Sequence, residues 1–336
     1  MVSMKDIARA CGVSVATVSK ALNGQHDIGE ETRARIAKAA KEMGYMANAA
    51  ARALKTNRTY NLGVLITDER RSGLSHEYFT TMLESFKAEA EVCGYDITFI
   101  NRNVGGKPTS YLQHCLYRGV DGVIVACVDF TDPRVQELAE SKIPIVTIDR
   151  VFEGRMAVLS DNVGGVASLV RYAYDKGHRK IAFLHGERSS VTEKRLTGFL
   201  ETCKELGIDV PEEYIIECVY NNPDRCAEAT KQLLQLPDRP TCILFPDDFS
   251  YIGGLNALTE AGLRVPEDIS AMGYNGIHLA KVMRLTTYSQ NASALGKTAA
   301  ARLISLIENP KETTVEKIMI AGGLMEGNSV RDIRNV

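Results

Sequence analysis

Apolar residues in the first 44 positions recur at helical spacing in three short bursts, "MKDIARAC", "SVATVSKAL" and "EETRARIAKAAKEMG". The first predicts a helix over Lys5–Cys11, the second a helix beginning near Ser14 after the Gly12-Val13 pair. The third places Ile36, Ala40 and Met43 on one stripe, with acids in its first turn and Gly44 as a stop. From Leu62 onward the pattern changes. Short continuous apolar runs, "LGVLIT", "YDITFI", "DGVIVACV", "IPIVTID", "KIAFLHG", "TCILFPD" and "ISAMGY", alternate with helical patterns such as Phe79–Val92. Runs without polar alternation are strands covered on both faces, so the body is predicted to be α/β with parallel sheet.

An internal echo divides that body. "FKAEAEVCGYD" (Phe86–Asp96) and "FLETCKELGID" (Phe199–Asp209) both place Phe eight residues before Gly and Asp two after it. Two similar lobes, about 60–160 and 160–288, account for the match. Between head and body lies "NAAARALKTNR", Asn48–Arg58, with four alanines and a single leucine. It is too short and too poor in large apolar residues to hold a helix alone, and is expected to order only with partners.

Composition adds a class and a charge asymmetry. The 336 residues are 45% hydrophobic and 24% charged, ordinary for a soluble chain of two or three domains. Residues 1–60 hold ten Lys/Arg and five Asp/Glu, a net of +5, which leaves −7 on the rest of a chain whose total is −2. A basic head on an acidic body points to a polyanion partner for the head. The eight cysteines show no C-x-x-C spacing and sit mostly in apolar runs, as reduced core thiols do. No leader pattern and no long apolar run is present, so the expectation is a cytoplasmic protein without membrane contact.

Small hydroxyl residues give the head its chemistry. Ala8, Gly12 and Val18 have the spacing of a helix-turn-helix, with Ile7, Val13 and Leu22 completing a core. The same spacing fits some unrelated helical hairpins. The second helix, however, carries the short side chains a recognition helix needs where it meets phosphates and base edges. Ser14 would cap it and, with Thr17, donate to phosphate oxygens; Val15 and Ala16 would face thymine methyls; Lys20 would reach guanine or a phosphate.

These motifs, with "TRARIAKAAKEMGY" and "NAAARALKTNR", closely resemble the DNA-binding head of the lac-repressor-type (LacI/GalR) bacterial regulators. The resemblance continues through "DGVIV", "GHRKIAFLHG", "RLTGF", "GLRVPEDISAMGY" and "LTTYSQ" to about residue 330. It implies a small all-α helix-turn-helix head (1–46), a hinge helix (47–60) and an effector-binding and dimerisation body (61–336). The body would consist of two Rossmann-like parallel-sheet lobes of the periplasmic-binding-protein type. Lobe 1 would span about 61–159 and 289–318, lobe 2 about 160–288 and 319–330. The DNA-facing set would be Ser14, Val15, Ala16, Thr17, Ser19, Lys20, Asn23 and Tyr45, then Asn48, Ala51, Leu54 and Lys55 in the hinge. Leu54 matches the leucine that wedges into the minor groove and kinks the site. The usual Tyr-x-Pro-Asn before the hinge is "YMAN" here, so Ala47 fixes the backbone less firmly.

In the body the resemblance implies an effector cleft between the lobes, with Arg195 of "RLTGF" clamping effector hydroxyls. Asp247 stands where the family has Asn, and Asn275 where it has Asp, an acid/amide exchange. Tyr78, Phe79, Asp161, Tyr220 and Gln290 complete the implied set; Tyr220 and Asp161 fit equally well as ordinary loop residues. Arg70, Arg71 and His76 lie in a loop with no trusted counterpart, either a solvated charged loop or a contact for an acidic ligand. No cofactor is implied beyond a small-molecule effector, and no catalytic motif or histidine metal spacing is present in the sequence. Neighbouring Asp247 and Asp248 would face opposite ways on one strand, against a catalytic carboxylate pair. The expected function is a homodimeric repressor of carbohydrate-utilisation genes, released from operator DNA by a sugar. A corepressor-dependent regulator with a purine-type ligand is the alternative; a solute-binding protein without a DNA role is a further one.

Overall fold

The computed structural model describes residues 2–22, 25, 27–45, 58–67, 74 and 76–334. The chain divides between Thr59 and Tyr60 into two units, a head and a body.

Among the described residues, three helices build the head: α1 (Met4–Cys11), α2 (Val15–Leu22) and α3 (Glu30–Glu42). Helix α1 begins one residue earlier than the apolar pattern suggests because Ser3 and Asp6 cap it reciprocally. Gly12 ends it at φ +62°, a left-handed conformation that lets the chain turn toward α2. Ile7, Val18 and Ile36 are fully buried, with Ala8, Ala21 and Ala40 packed among them. Those alanines keep the helices close, so the core is small and depends on a few side chains.

In the body, strands and helices run in chain order as β1 (Asn61–Ile66), α4 (Glu77–Val92), β2 (Asp96–Phe99), β3 (Asn103–Val104), β4 (Lys107–Pro108), α5 (Tyr111–Arg118), β5 (Gly122–Ala126), α6 (Pro133–Glu140), β6 (Ile145–Ile148) and β7 (Met156–Ser160). The second half follows with α7 (Asn162–Asp175), β8 (Ile181–His185), α8 (Ser190–Glu205), β9 (Ile215–Glu217), α9 (Pro223–Gln235), β10 (Cys242–Leu244), α10 (Tyr251–Glu260), β11 (Ser270–Asn275), α11 (His278–Val282), β12 (Thr286–Ser289), α12 (Ala292–Glu308), β13 (Lys317–Ile320) and β14 (Gly323–Met325). Two six-stranded sheets result, ordered β13-β7-β6-β5-β1-β2 and β14-β12-β11-β10-β8-β9.

The two orders are the same topology, with β1 and β8, then β2 and β9, in equivalent places. The echoed segments Phe86–Asp96 and Phe199–Asp209 belong to α4 and α8 and the turns that follow, the first helical layer of each lobe. One strand breaks the likeness: β13 is parallel to β7, whereas β14 is antiparallel to β12. The chain passes between lobes three times, after Ser160, between Ser289 and Ala292, and between Ile320 and Gly323.

In lobe 1, α4 and α12 lie side by side over the sheet around Met82, Phe86, Leu295 and Leu303. A Cβ on Gly296 would stand 1.9 Å from the Met82 carbonyl, so only glycine permits that approach. One expectation changes. Asp247 and Asp248 are not on a strand: β10 stops at Leu244, and Pro246 leads both acids into a loop. Of the histidines, His114 and His178 are deeply buried. His178 contacts the Thr241 hydroxyl and the Arg331 carbonyl.

Candidate DNA-reading helix and effector cleft

On the head, Ser14 caps α2 by accepting the Thr17 amide at 3.0 Å, and the two hydroxyls lie 2.8 Å apart. Ser14, Val15, Ala16 and Lys20 are exposed, Thr17 and Ser19 half-buried. An exposed valine beside an alanine at the start of a helix has little to gain from water and is suited to base methyl groups. Tyr45 packs in part against the head core, its amide bound to the Ala40 carbonyl. Asn23, Asn48, Ala51, Leu54 and Lys55, together with Arg70 and Arg71, lie outside the described residues.

In the body, the polar groups gather where strands of both sheets end, the position at which open α/β sheets take ligands. Arg195, on α8, is 5% exposed. Its Nε donates to Asn162 Oδ1 at 2.9 Å and its Nη1 to the Pro246 carbonyl at 3.0 Å. The guanidinium stacks on Tyr274 at 3.7 Å, with the Tyr220 ring at 5.3 Å. Among the described residues, Nη2 has no hydrogen-bond partner. Burial opposes the Arg195 charge, yet Tyr220, Tyr274 and Asp149 shift its pKa upward.

Asp149 follows β6 and accepts from the Ser160 amide at 2.6 Å and hydroxyl at 3.1 Å. Burial raises its pKa against those bonds and against Arg195. Tyr78, on α4, is buried with its hydroxyl 3.2 Å from Ser160 Oγ, while Phe79 is half-buried beside it at 5.1 Å between ring centroids. Direct contacts join the lobes, Asn162 Nδ2 donating to Asp149 Oδ1 at 3.5 Å among them. Ser190 Oγ donates to the Asp149 carbonyl at 3.1 Å, and the His278 amide donates to Glu77 Oε1 at 2.6 Å.

The other residues named from the sequence divide into those with an uncommitted polar atom and those that support the cleft. Gln290 Nε2 donates to Asn275 Oδ1 at 2.7 Å, which leaves Gln290 Oε1 buried without a partner. Tyr220 sits close over Gly186, and its hydroxyl is 2.9 Å from Thr192 Oγ1. Asp161 caps α7 through the Gly164 amide at 2.9 Å. Asp247, 1% exposed, accepts from the Asn221 amide, the Ser250 amide and the Ser250 hydroxyl, each at 2.8 Å. Two of these bonds come from Ser250 in its own loop, and the third, from the Asn221 amide, ties it to the loop carrying Tyr220. Sequence reasoning missed Asp149, Asn162 and Tyr274. Asp149 had a signal, an acid at the end of "IPIVTID"; the others had none short of the assembled fold.

Asp248 is fully buried and accepts from Thr287 Oγ1 at 2.6 Å and the Ile277 amide at 2.9 Å. Burial pushes its pKa from 3.8 up to about 7. Between those values the folded chain holds a proton that the unfolded chain has lost, so this group's contribution to stability falls as pH rises from about 4 to about 7, by at most roughly 4 kcal/mol. His114 and His178, whose pKa values burial lowers, act in the opposite sense below their ordinary 6.5. The difference in melting temperature between the parent and Asp248→Asn isolates the carboxyl. The parent's relative stability should be greater at pH 5 than at pH 8; a difference independent of pH would contradict the assignment.

Comparison with known proteins adds the family. Residues 3–48 match the model for bacterial regulatory proteins of the lacI family, and residues 170–330 that for a periplasmic binding protein-like domain. The HTH-type transcriptional repressor PurR of Escherichia coli O139:H28 is 33% identical over 340 residues, covering 99% of this chain and 98% of its own. Among solved structures, the lac repressor dimer bound to operator and the anti-inducer ONPF is 24% identical with a TM-score of 0.81, covering 98% of this chain and 99% of that one. The transcriptional regulator CelR–cellobiose complex is 23% identical with a TM-score of 0.70, covering 98% of this chain and 100% of that one. Both agree with the two-lobed fold. Among the described residues, no helix is long and apolar enough to cross a membrane. A helix-turn-helix head joined to a two-lobed, polar-lined body, matched along its whole length at this identity, places the chain in the lacI family of bacterial regulatory proteins, as a DNA-binding transcriptional repressor.

Proposed function

We propose that this repressor acts in the cytoplasm as a homodimer and is released from a pseudo-palindromic operator by a sugar or sugar derivative, with no other cofactor. The observation that carries the ligand class is the contrast between covered rings and uncovered polar atoms in the cleft. Tyr274 is stacked under Arg195, Tyr78 meets Phe79 edge to face, and Tyr220 lies over Gly186. A flat base needs open aromatic faces. A ligand with several adjacent hydroxyls needs donors and acceptors instead, and Arg195 Nη2, the buried Gln290 Oε1 and the buried Tyr274 hydroxyl supply them.

Thermal-shift screening against sugars, sugar acids and nucleobases tests this reading. A sugar or sugar acid should raise the melting temperature and weaken operator binding. Stabilisation by a nucleobase alone, with tighter operator binding, would replace the reading with a corepressor. The effector acts through its different affinity for two lobe arrangements, because only such a difference shifts the equilibrium.

At the DNA, Leu54 is proposed as the wedge at a flexible central step of the operator. Leu54→Ala should reduce bending, measured by fluorescence energy transfer across the site, and weaken operator binding. Unchanged bending in that variant would remove the wedge.

A further inference from the structure

We propose that Asp27 is a specificity-determining residue of the head that acts through Lys20, withholding its ammonium group from phosphates and releasing it to the edge of a G·C pair. The proposal rests on the reading of Lys20 as a DNA contact. Lys20 is the only cation on α2, "VATVSKAL". Its Nζ is not free: it lies 2.5 Å from Oδ2 of Asp27 in the turn that leads to α3. Both side chains are about half exposed, at 47% and 53%, so the pair stands on the surface and contributes little to folding. Its effect is on what Lys20 can reach. The bond holds the Asp27 carboxyl below its ordinary range, so the group is ionised at neutral pH.

A phosphate offers Lys20 a second acceptor in exchange for the carboxylate it already has. The exchange leaves Asp27 unpaired and facing a polyanion, so contact with backbone alone gains little. A G·C pair presents a different surface in the major groove. Guanine O6 and N7 accept from Lys20, and the adjacent cytosine N4 amine donates to a carboxylate. Donor and acceptor of the Lys20–Asp27 pair are then both satisfied. The carboxylate therefore lowers affinity for arbitrary sequence more than affinity for the operator.

The test uses the full-length protein, the operator it selects from a random duplex library, and a scrambled duplex, titrated by fluorescence anisotropy at several salt concentrations. Asp27→Asn should tighten binding to the scrambled duplex several-fold and change operator binding less, so that the ratio between them falls. Its salt dependence on the scrambled duplex should steepen by about 0.9 in the log–log slope for each head, about 1.8 for the homodimer. Glu42→Gln supplies the control for charge alone, since Glu42 is an exposed acid on α3 whose neighbour is Lys38. If Asp27→Asn and Glu42→Gln change the ratio and the slope alike, the proposal is overturned and Lys20 keeps its place. If Lys20→Ala binds both duplexes as the parent does, the reading of Lys20 fails and takes the proposal with it.

Discussion

Replacing Arg195 with alanine should abolish the effector response while basal operator binding persists. The side chain belongs to the body, and the groups it touches, Asn162, Pro246 and Tyr274, all lie around the cleft. Truncation leaves the Asn162 and Pro246 oxygens without their donor and opens the stack above Tyr274. Each lost bond to the guanidinium costs roughly 1.5–3 kcal/mol, so the variant melts lower than the parent. Arg195→Lys separates ligand recognition from that damage. It keeps the charge but not the planar fork, and cannot donate to Asn162, Pro246 and a ligand in the same directions. Operator release measured over an effector titration should require a much higher concentration in Arg195→Lys and be lost in Arg195→Ala. A parental response in both would place the effector elsewhere in the body.

The acid at position 247 should behave as a structural residue in spite of its family position. The sequence suggests that Asp247→Asn, which supplies the family's usual amide, alters ligand preference with little loss of stability. The structure changes that expectation. Three donors converge on the carboxylate, and no oxygen is left to spare for an amide nitrogen facing another N–H. A buried donor without an acceptor costs about 1–3 kcal/mol, so Asp247→Asn should unfold at lower denaturant concentration by that amount. Effector affinity should fall with it, because the Asn221 amide anchors the loop that carries Tyr220. Equal stability of parent and variant would return Asp247 to direct ligand contact.

Most of the architecture was legible because it is written in period and spacing. The apolar runs coincide with β1, β5, β6, β8, β10 and β11, and of the head's stripe Ile36 and Ala40 are buried, with Met43 partly buried against them. Even the doubling of the lobes was visible in the echo between α4 and α8. The site was legible only in part. Arg195 stood out through a local motif, but its partners Asn162 and Tyr274 come from elements 33 and 79 positions away in opposite directions, and nothing local marks them. Asp247 was visible as an acid after a strand. Which groups would use its lone pairs was decided by the return of the loop at Asn221, a tertiary event.

The three passages between lobes set an order for synthesis. The head closes its core within residues that leave the ribosome first, through local contacts that form quickly. Lobe 1 cannot follow. Its helix α4 packs on α12, and the Tyr95 hydroxyl reaches Glu308 at 3.3 Å across 213 positions of chain. Strand β7 waits for β13 as its neighbour. A growing chain therefore carries a head with a closed core well before it has a finished sensor, and a chain terminated before Ala292 would keep the first without the second.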